Sequence, residues 1–391
     1  MPWKESSVLD QRKEFVGEYE GGLVTMAELC RIYEISRETG YKWVQRYQEQ
    51  GWKGLEDLSR SPQRHPNQTA PELEERIVDL RRAHPRWGAR KLRAYLEQRY
   101  SRVKWPAAST IGDLLQREGL IIARVVRRKT PPYTQPLAHA GEPNQVWCVD
   151  YKGWFRTQDG ERIDPLTISD ACSRYLLRCQ AVERTNTEQV QGIFEATFRE
   201  YGLPWRMRSD NGAPFASRAL AGITRLWVYL MKLGIVLERI EPGHPEQNGR
   251  HERMHRTLEE ETAQPPAAHR RAQQKAFHRF RWDYNQERPH EALGQKTPAS
   301  CYQPSPRSYP ARIREPEYGT GMQVRRVGLR GGFSWKHESV FLSEALIGER
   351  VGLESIDERY FTIYFAEFPL GRFDSFGLQV EPLPSSGKQK S

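Results

Sequence analysis

Val146-Trp147-Cys148-Val149-Asp150-Tyr151-Lys152-Gly153 decides how this chain is read. Apolar residues of high strand preference run into an acid. A run of this length reads as a buried strand that carries a carboxylate. The spacing extends that strand over residues 145–155 and predicts two more, over 162–169 and 174–182. A helix over 187–201, with Asn186 as its cap, and a short strand over 206–209 follow. Beyond them the pattern gives a helix over 220–233 that stops at Gly234, a strand over 235–240, and helices over 249–263 and 267–286. Three strands followed by alternating helix and strand imply a mixed α/β sheet. Asp150 would lie within the first strand and Asp210 at a strand end, in Arg208-Ser209-Asp210-Asn211-Gly212. Glu252 would lie on a helix, just after Pro245-Glu246-Gln247-Asn248-Gly249. Two strand-borne Asp and a helix-borne Glu are the hard oxygen donors that hold divalent cations for phosphodiester chemistry.

Upstream, the chain reads as helices. A helix over 26–33 is followed by Ser36, a good N-cap, and a second helix over 37–48. Two short helices joined by a tight turn make a helix-turn-helix, whose second helix would offer Arg37, Glu38, Thr39 and Lys42 to base edges. Residues 51–66, rich in Gly, Ser, Pro and Arg, read as a linker. Helices over 72–83, 88–100 and 110–118, the last capped by Ser109, form a second unit. Residues 61–140 carry 16 Lys and Arg against seven Asp and Glu, nearly the whole formal excess of +10. Charge concentrated in this way points to a polyanion, most simply nucleic acid, or else to a solvated basic helical surface. Arg124, Arg127, Arg128 and Lys129 end that segment, and residues 131–136 form a Pro-rich linker.

After Pro304 the helical patterns fade. Strands over 322–329, 349–354 and 360–365 suggest a small β-barrel, and 387–391 a disordered tail. The expected domains are therefore residues 1–60, 67–130, 140–300 and 318–380. The sequence has no apolar run long enough for a membrane span and no secretory signal at its start. Five scattered Cys form no disulfide framework and no pair of zinc CxxC motifs, which suits a reducing cytoplasm.

The central stretch resembles the catalytic core of DDE transposases of bacterial insertion sequences, relatives of retroviral integrases. The likeness rests on the order of several motifs. These are residues 147–153, Asp170 with Ser173-Arg174-Tyr175, Tyr201-Gly202-Leu203-Pro204 and Ser209-Asp210-Asn211-Gly212. His244-Pro245-Glu246-Gln247-Asn248-Gly249 with Glu252-Arg253, Tyr284-Asn285, residues 288–294 and Thr297-Pro298 complete the series. Upstream, Leu29-Cys30-Arg31 to Lys42-Trp43 and Pro85-Arg86-Trp87-Gly88 with Lys91-Leu92 extend it.

The resemblance implies an RNase H-like core with Asp150, Asp210 and Glu252 as catalytic, metal-holding residues for Mg2+, with Mn2+ able to substitute. Its partners would be double-stranded DNA, as element terminal repeats and target, together with further copies of the chain and accessory transposition proteins. DNA contacts would come from Arg37, Thr39, Lys42, Arg86, Arg90, Lys91, Thr110, Arg124, Arg127, Arg128, Lys152, Asn248, Arg250, Arg253 and Arg256. The family spacing between the second Asp and the Glu is about 35 residues; here 41 separate Asp210 from Glu252, and a longer connection absorbs the difference. Glu246 is the rival at the shorter spacing, in a Pro-containing turn.

Two other classes remain open on sequence. One is a DNA-binding regulator with an inactive core. The other is a zinc protease, because His251-Glu252-Arg253-Met254-His255 fits H-E-x-x-H. Arg250, Arg253 and Arg256 around that motif oppose a dication, and only His269 and Glu291 offer themselves as a third ligand. The simpler expectation for His251 and His255 is exposed positions on a DNA-facing helix. Asp159, Asp164 and Asp170 read as turn or strand-end residues.

Overall fold

The structure is a computed structural model that describes residues 7–59, 68–121, 140–183, 187–209, 212, 214–215, 222–239 and 249–383. Asp210, Asn248, Arg124, Arg127, Arg128, the 131–136 linker, the Asn186 cap and the 387–391 tail lie outside the described residues. So do the side chains of Arg239 and Arg250. The chain divides into two compact units, residues 1–70 and 71–391.

In the first unit α1 (Val8–Glu20), α2 (Met26–Ile32) and α3 (Arg37–Gln50) close on Phe15, Val16, Leu29, Cys30, Val44 and Leu55. Ser36 caps α3 as its sequence position predicts, its hydroxyl accepting from the Thr39 N–H at 3.1 Å. Thr25 and Glu28 form a capping box on α2. Gly40 is where α3 meets α1 and α2. A Cβ there would stand 2.8 Å from Cys30 Sγ and 3.0 Å from Phe15 Cζ. The sequence reading did not anticipate α1. Among its residues only Phe15 and Val16 are buried, so its apolar period is faint. Residues 51–55, expected within a linker, form a 3-10 turn that buries Leu55.

The second unit begins with α4 (Pro71–Ala83), α5 (Ala89–Arg99) and α6 (Ala108–Arg117), packed around Ile77, Trp87, Leu92, Trp105, Ile111 and Leu114. Ser109 does not cap α6; the helix already starts at Ala108, with Ala107 in the cap position.

The sheet that follows contains β1 (Val146–Tyr151), β2 (Phe155–Arg156), β3 (Arg162–Asp170), β4 (Leu176–Val182), β5 (Arg206–Ser209) and β6 (Val236–Arg239). β4, β3 and β1 run antiparallel; β1, β5 and β6 run parallel, and β2 extends the end of β3. Side chains alternate across it. Trp147, Val149, Leu166, Ile168, Leu177 and Val182 join α7 (Thr187–Tyr201) and α8 (Arg225–Lys232) on one face. On the other, Ile163, Leu176, Cys179 and Ala181 meet α9 (Gly249–Thr262) and α10 (Arg270–Trp282). The helix expected over 267–286 changes character after Trp282. Residues 283–287 form a π turn that brings the buried Asn285 side chain to the β4 edge, where it bonds both the N–H and the C=O of Leu176 at 2.8 and 2.9 Å.

The C-terminal β-barrel expectation is corrected. β7 (Gln323–Arg326), β10 (Arg350–Ser355), β11 (Tyr360–Phe365), β12 (Phe368–Asp374) and β13 (Gln379–Glu381) form an antiparallel sheet in the order β13-β12-β11-β10-β7. β8 (Gly332–Trp335) and β9 (Glu338–Phe341) make a separate hairpin. Among the described residues no ladder joins β7 to β13, so the sheet stays open, and closure defines a barrel. The hairpin instead packs Phe333, Trp335 and Val340 against Phe361 and Phe373. That cluster is continuous with the apolar core on the α7–α8 face of the central sheet.

Candidate active site

Asp150 and Val149 are neighbours on β1, so their side chains point to opposite faces. Val149 belongs to the α7–α8 core, and Asp150 therefore faces α9. β5 runs parallel to β1, with Ser209, its last residue, opposite Val149.

On α9, residues 251, 254, 255, 258 and 262 form one inward stripe at helical spacing. Their side chains, His251, Met254, His255, Leu258 and Thr262, are all buried. Glu252, Arg253 and Arg256 lie on the exposed part of the helix. The expectation of exposed histidines is thus corrected, because His251 and His255 are only 3% and 7% exposed. Two imidazoles in a core need partners, and β3 supplies them. The Thr167 hydroxyl lies 2.6 Å from His251 Nε2 and 2.7 Å from His255 Nε2, and it reaches the Asp150 carbonyl oxygen at 3.1 Å. Ser169 Oγ is 3.2 Å from His251 Nδ1. One arrangement fits all four contacts: both Nε2–H groups donate to Thr167, whose proton goes to the Asp150 carbonyl, and Ser169 donates to His251 Nδ1. Burial pushes His251 down to about 3, and burial with the neighbouring His251 lowers His255 as well, so both rings are neutral. A carboxylate oxygen of Asp150 and one nitrogen of each imidazole lie within 4.8 Å of one another. Neither His269 nor Glu291 belongs to that group.

Lys152, just beyond β1, is held by Glu259 of α9 at 2.8 Å. Asp170, at the end of β3, takes the turn role expected of it. Its carboxylate accepts from the Asn144 N–H at 2.7 Å, the Ser173 N–H at 2.7 Å and the Ser173 hydroxyl at 2.6 Å, and burial raises its pKa.

The other residues singled out from sequence are spread over both units. Arg37 and Lys42 are exposed in the first half of α3, with Thr39 half-buried between them. Thr110 is exposed in the first turn of α6. Arg86 pairs with Glu260 at 2.9 Å and Arg90 with Glu291 at 2.9 Å, so α5 and the turn before it are tied to the sheet domain. Lys91 enters the same junction, and burial, with repulsion from Arg288, takes it down to about 8. Arg288, itself buried, pairs with Glu261 and Asp283 there. Sequence reasoning missed this junction and the Thr167–Ser169 anchor. The inward stripe on α9 was the available signal for the anchor.

Residues 140–245 and 233–298 match the integrase core domain family, residues 11–63 a helix-turn-helix domain, and residues 39–115 a homeodomain-like domain. The chain is 29% identical over 244 residues to a protein of insertion element IS407 from Burkholderia multivorans, covering 58% of this chain and 79% of that one. It is 26% identical over 231 residues to the transposase InsD for insertion element IS2A/D/F/H/I/K of Escherichia coli, covering 55% and 72%. Among solved structures, the HTLV-2 integrase catalytic core domain in complex with magnesium aligns at 15% identity and a TM-score of 0.33, covering 41% of this chain and 98% of that one.

Proposed function

This chain is an insertion-element DDE transposase with an integrase core behind helix-turn-helix domains, and on that premise we propose that it frees the 3′ ends of its element and joins them to target DNA through Asp150, Asp210 and Glu252. The observation that carries the site assignment is the placement of Asp150 on the β1 face covered by α9, the helix that bears Glu252, beside the β5 end that Asp210 follows in sequence.

The donor set suits magnesium or manganese, because carboxylate oxygens are the hard ligands these ions take. The nearby imidazoles are neutral, and the Lys152 ammonium is offset by Glu259, so the described surroundings of Asp150 do not oppose a dication. Bound divalent ions would sharpen the attacking oxygen and stabilise the leaving 3′-oxygen.

The chain's own residues position the reactants. Asp150 is fixed by the β1–β3 ladder, and Glu252 by a helix whose first turns are hydrogen-bonded to β3. In the first step water attacks the phosphodiester at the element end, the bond from phosphorus to the 3′-oxygen breaks, and that oxygen leaves as a hydroxyl. In the second step this hydroxyl attacks a target phosphodiester, and a target 3′-hydroxyl leaves. Each step exchanges one P–O bond for another, so neither ATP nor a covalent protein–DNA link is needed.

Arg253 and Arg256 on the outer face of α9 would hold phosphates, together with Lys152, Asn248 and Arg250. Arg37, Thr39 and Lys42 on α3 would read element-end bases. Thr110, Arg86, Arg90, Lys91, Arg124, Arg127 and Arg128 would add contacts from the second helical segment. Two element ends must be processed together, which calls for at least two copies of the chain. The RNase H-like topology and a cytoplasmic site of action belong to the same proposal.

The test is cleavage of labelled element-end DNA by Asp150→Asn, Asp210→Asn, Glu252→Gln and Glu246→Gln proteins. The first three should bind the DNA and leave it uncut, and Glu246→Gln should cut it. Cutting by any of the first three would remove that residue from the site.

A further inference from the structure

We propose that Asp150, His251 and His255 form a binding site for a borderline transition dication, with Zn2+ as the best match, and that this site shares Asp150 with the catalytic centre. The two histidines are one helical turn apart on α9, and both side chains are buried against the sheet. Their Nε2 atoms converge on a single point, the Thr167 hydroxyl, at 2.6 and 2.7 Å. One ligand atom from each imidazole and one from the Asp150 carboxylate already lie within 4.8 Å of one another.

Tetrahedral zinc with bonds of about 2.0–2.1 Å brings its ligand atoms to roughly 3.4 Å apart, so side-chain rotations of about an ångström suffice. Thr167 would turn its hydroxyl aside or stay as a fourth neighbour. Ser169 Oγ, 3.2 Å from His251 Nδ1, can accept the ring proton there when an ion displaces it from Nε2, the outer partner a metal-bound imidazole needs. Imidazole nitrogen with one carboxylate favours zinc and its neighbours over magnesium, which prefers oxygen alone.

This arrangement does not make a protease. Neither of the third ligands that the H-E-x-x-H reading offered, His269 or Glu291, joins the group, whose third member is Asp150. An ion here would instead occupy Asp150 and hold α9 on β3, blocking the reaction. That inhibitory consequence, unlike binding itself, rests on the assignment of Asp150 as catalytic.

The test uses the full-length protein without DNA. Zn2+ is titrated by calorimetry, and Co2+ by its visible absorption. Wild type should bind one ion in a saturable step, with tetrahedral or five-coordinate cobalt bands. His255→Gln and Asp150→Asn should each weaken binding at least tenfold, and Asp210→Asn should bind as wild type does. Folding is checked by circular dichroism; if His255→Gln does not fold, Asp150→Asn carries the comparison. No stoichiometric binding by wild type, or unchanged binding in a folded variant, would overturn the site. In the joining reaction micromolar Zn2+ should inhibit and excess Mg2+ should restore activity. Zinc bound at this site with joining unaffected would overturn the shared use of Asp150 and leave the ion site standing.

Discussion

Thr167→Val isolates the polar anchor of α9. Valine keeps the shape and strand preference of threonine and removes one atom, the hydroxyl oxygen that lies within hydrogen-bond reach of His251 Nε2, His255 Nε2 and the Asp150 carbonyl. Both imidazole N–H groups then face a methyl in a buried site. Each orphaned donor costs about 1–3 kcal/mol, giving roughly 4 kcal/mol for the pair. The extra buried methyl returns about 0.8 kcal/mol, so the expected net loss is about 3 kcal/mol. The assay is chemical denaturation of the full-length protein, followed through tryptophan fluorescence, since Trp147 lies on β1, the strand paired with that of Thr167. A triple variant that also carries His251→Leu and His255→Leu removes the donors themselves and should recover most of the loss. A loss below about 1 kcal/mol for Thr167→Val, or a triple variant weaker than the single one, would refute the hydrogen-bond account.

Three further outcomes follow from buried groups and backbone geometry. Asp170→Ala leaves the Asn144 and Ser173 donors unpaired around an inaccessible site and should lower stability by about 3 kcal/mol or more, read as a denaturation midpoint; an unchanged midpoint would contradict it. Burial holds His251 at about 3, and burial with repulsion from Lys91 and Arg288 holds His290 there too, below their ordinary 6.5. Protonation therefore favours the unfolded chain: the stability is full above pH 6.5 and is lost as pH falls from 6.5 toward 3. At one unit below 6.5 each should cost about 1.4 kcal/mol, measured by denaturation across a pH series in metal-free buffer, and a flat profile would contradict the assignment. Gly202 has φ +78°, and a Cβ there would stand 2.6 Å from the Ser305 carbonyl oxygen. Gly202→Ala should thus cost about 2–3 kcal/mol in a thermal melt, and wild-type stability would show that the 305–307 segment yields freely.

The central sheet was legible because its signals are local. Strand-length apolar runs gave β1, β3, β5 and β6 to within a few residues, and Ser36 fixed the start of α3. What escaped depends on long-range packing. β8, β9 and β13 span only three or four residues, too few to show an alternating pattern, and the pairing of β7 with β10 joins strands distant in sequence, so a barrel was inferred where an open sheet and a hairpin stand. The histidines of α9 were read by their arginine neighbours. The spacing of His251, Met254, His255 and Leu258 is an inward stripe, and following it would have placed both rings against the sheet. The basic excess of residues 61–140 was read as a surface for a polyanion, yet part of it serves the fold. The buried Arg81 bonds the carbonyls of Trp87 and Leu120, while Arg86, Arg99 and Arg117 pair with Glu260, Glu287 and Glu74. Such partners, distant in sequence, are settled only by the fold.

The central claim is tested most directly by strand transfer with purified protein, Mg2+, DNA carrying the element's own ends and a supercoiled target. Wild type and Glu246→Gln should yield joined products, and Glu252→Gln should bind the ends and yield none. Joined products from Glu252→Gln, or none from wild type that binds the ends, would contradict the account.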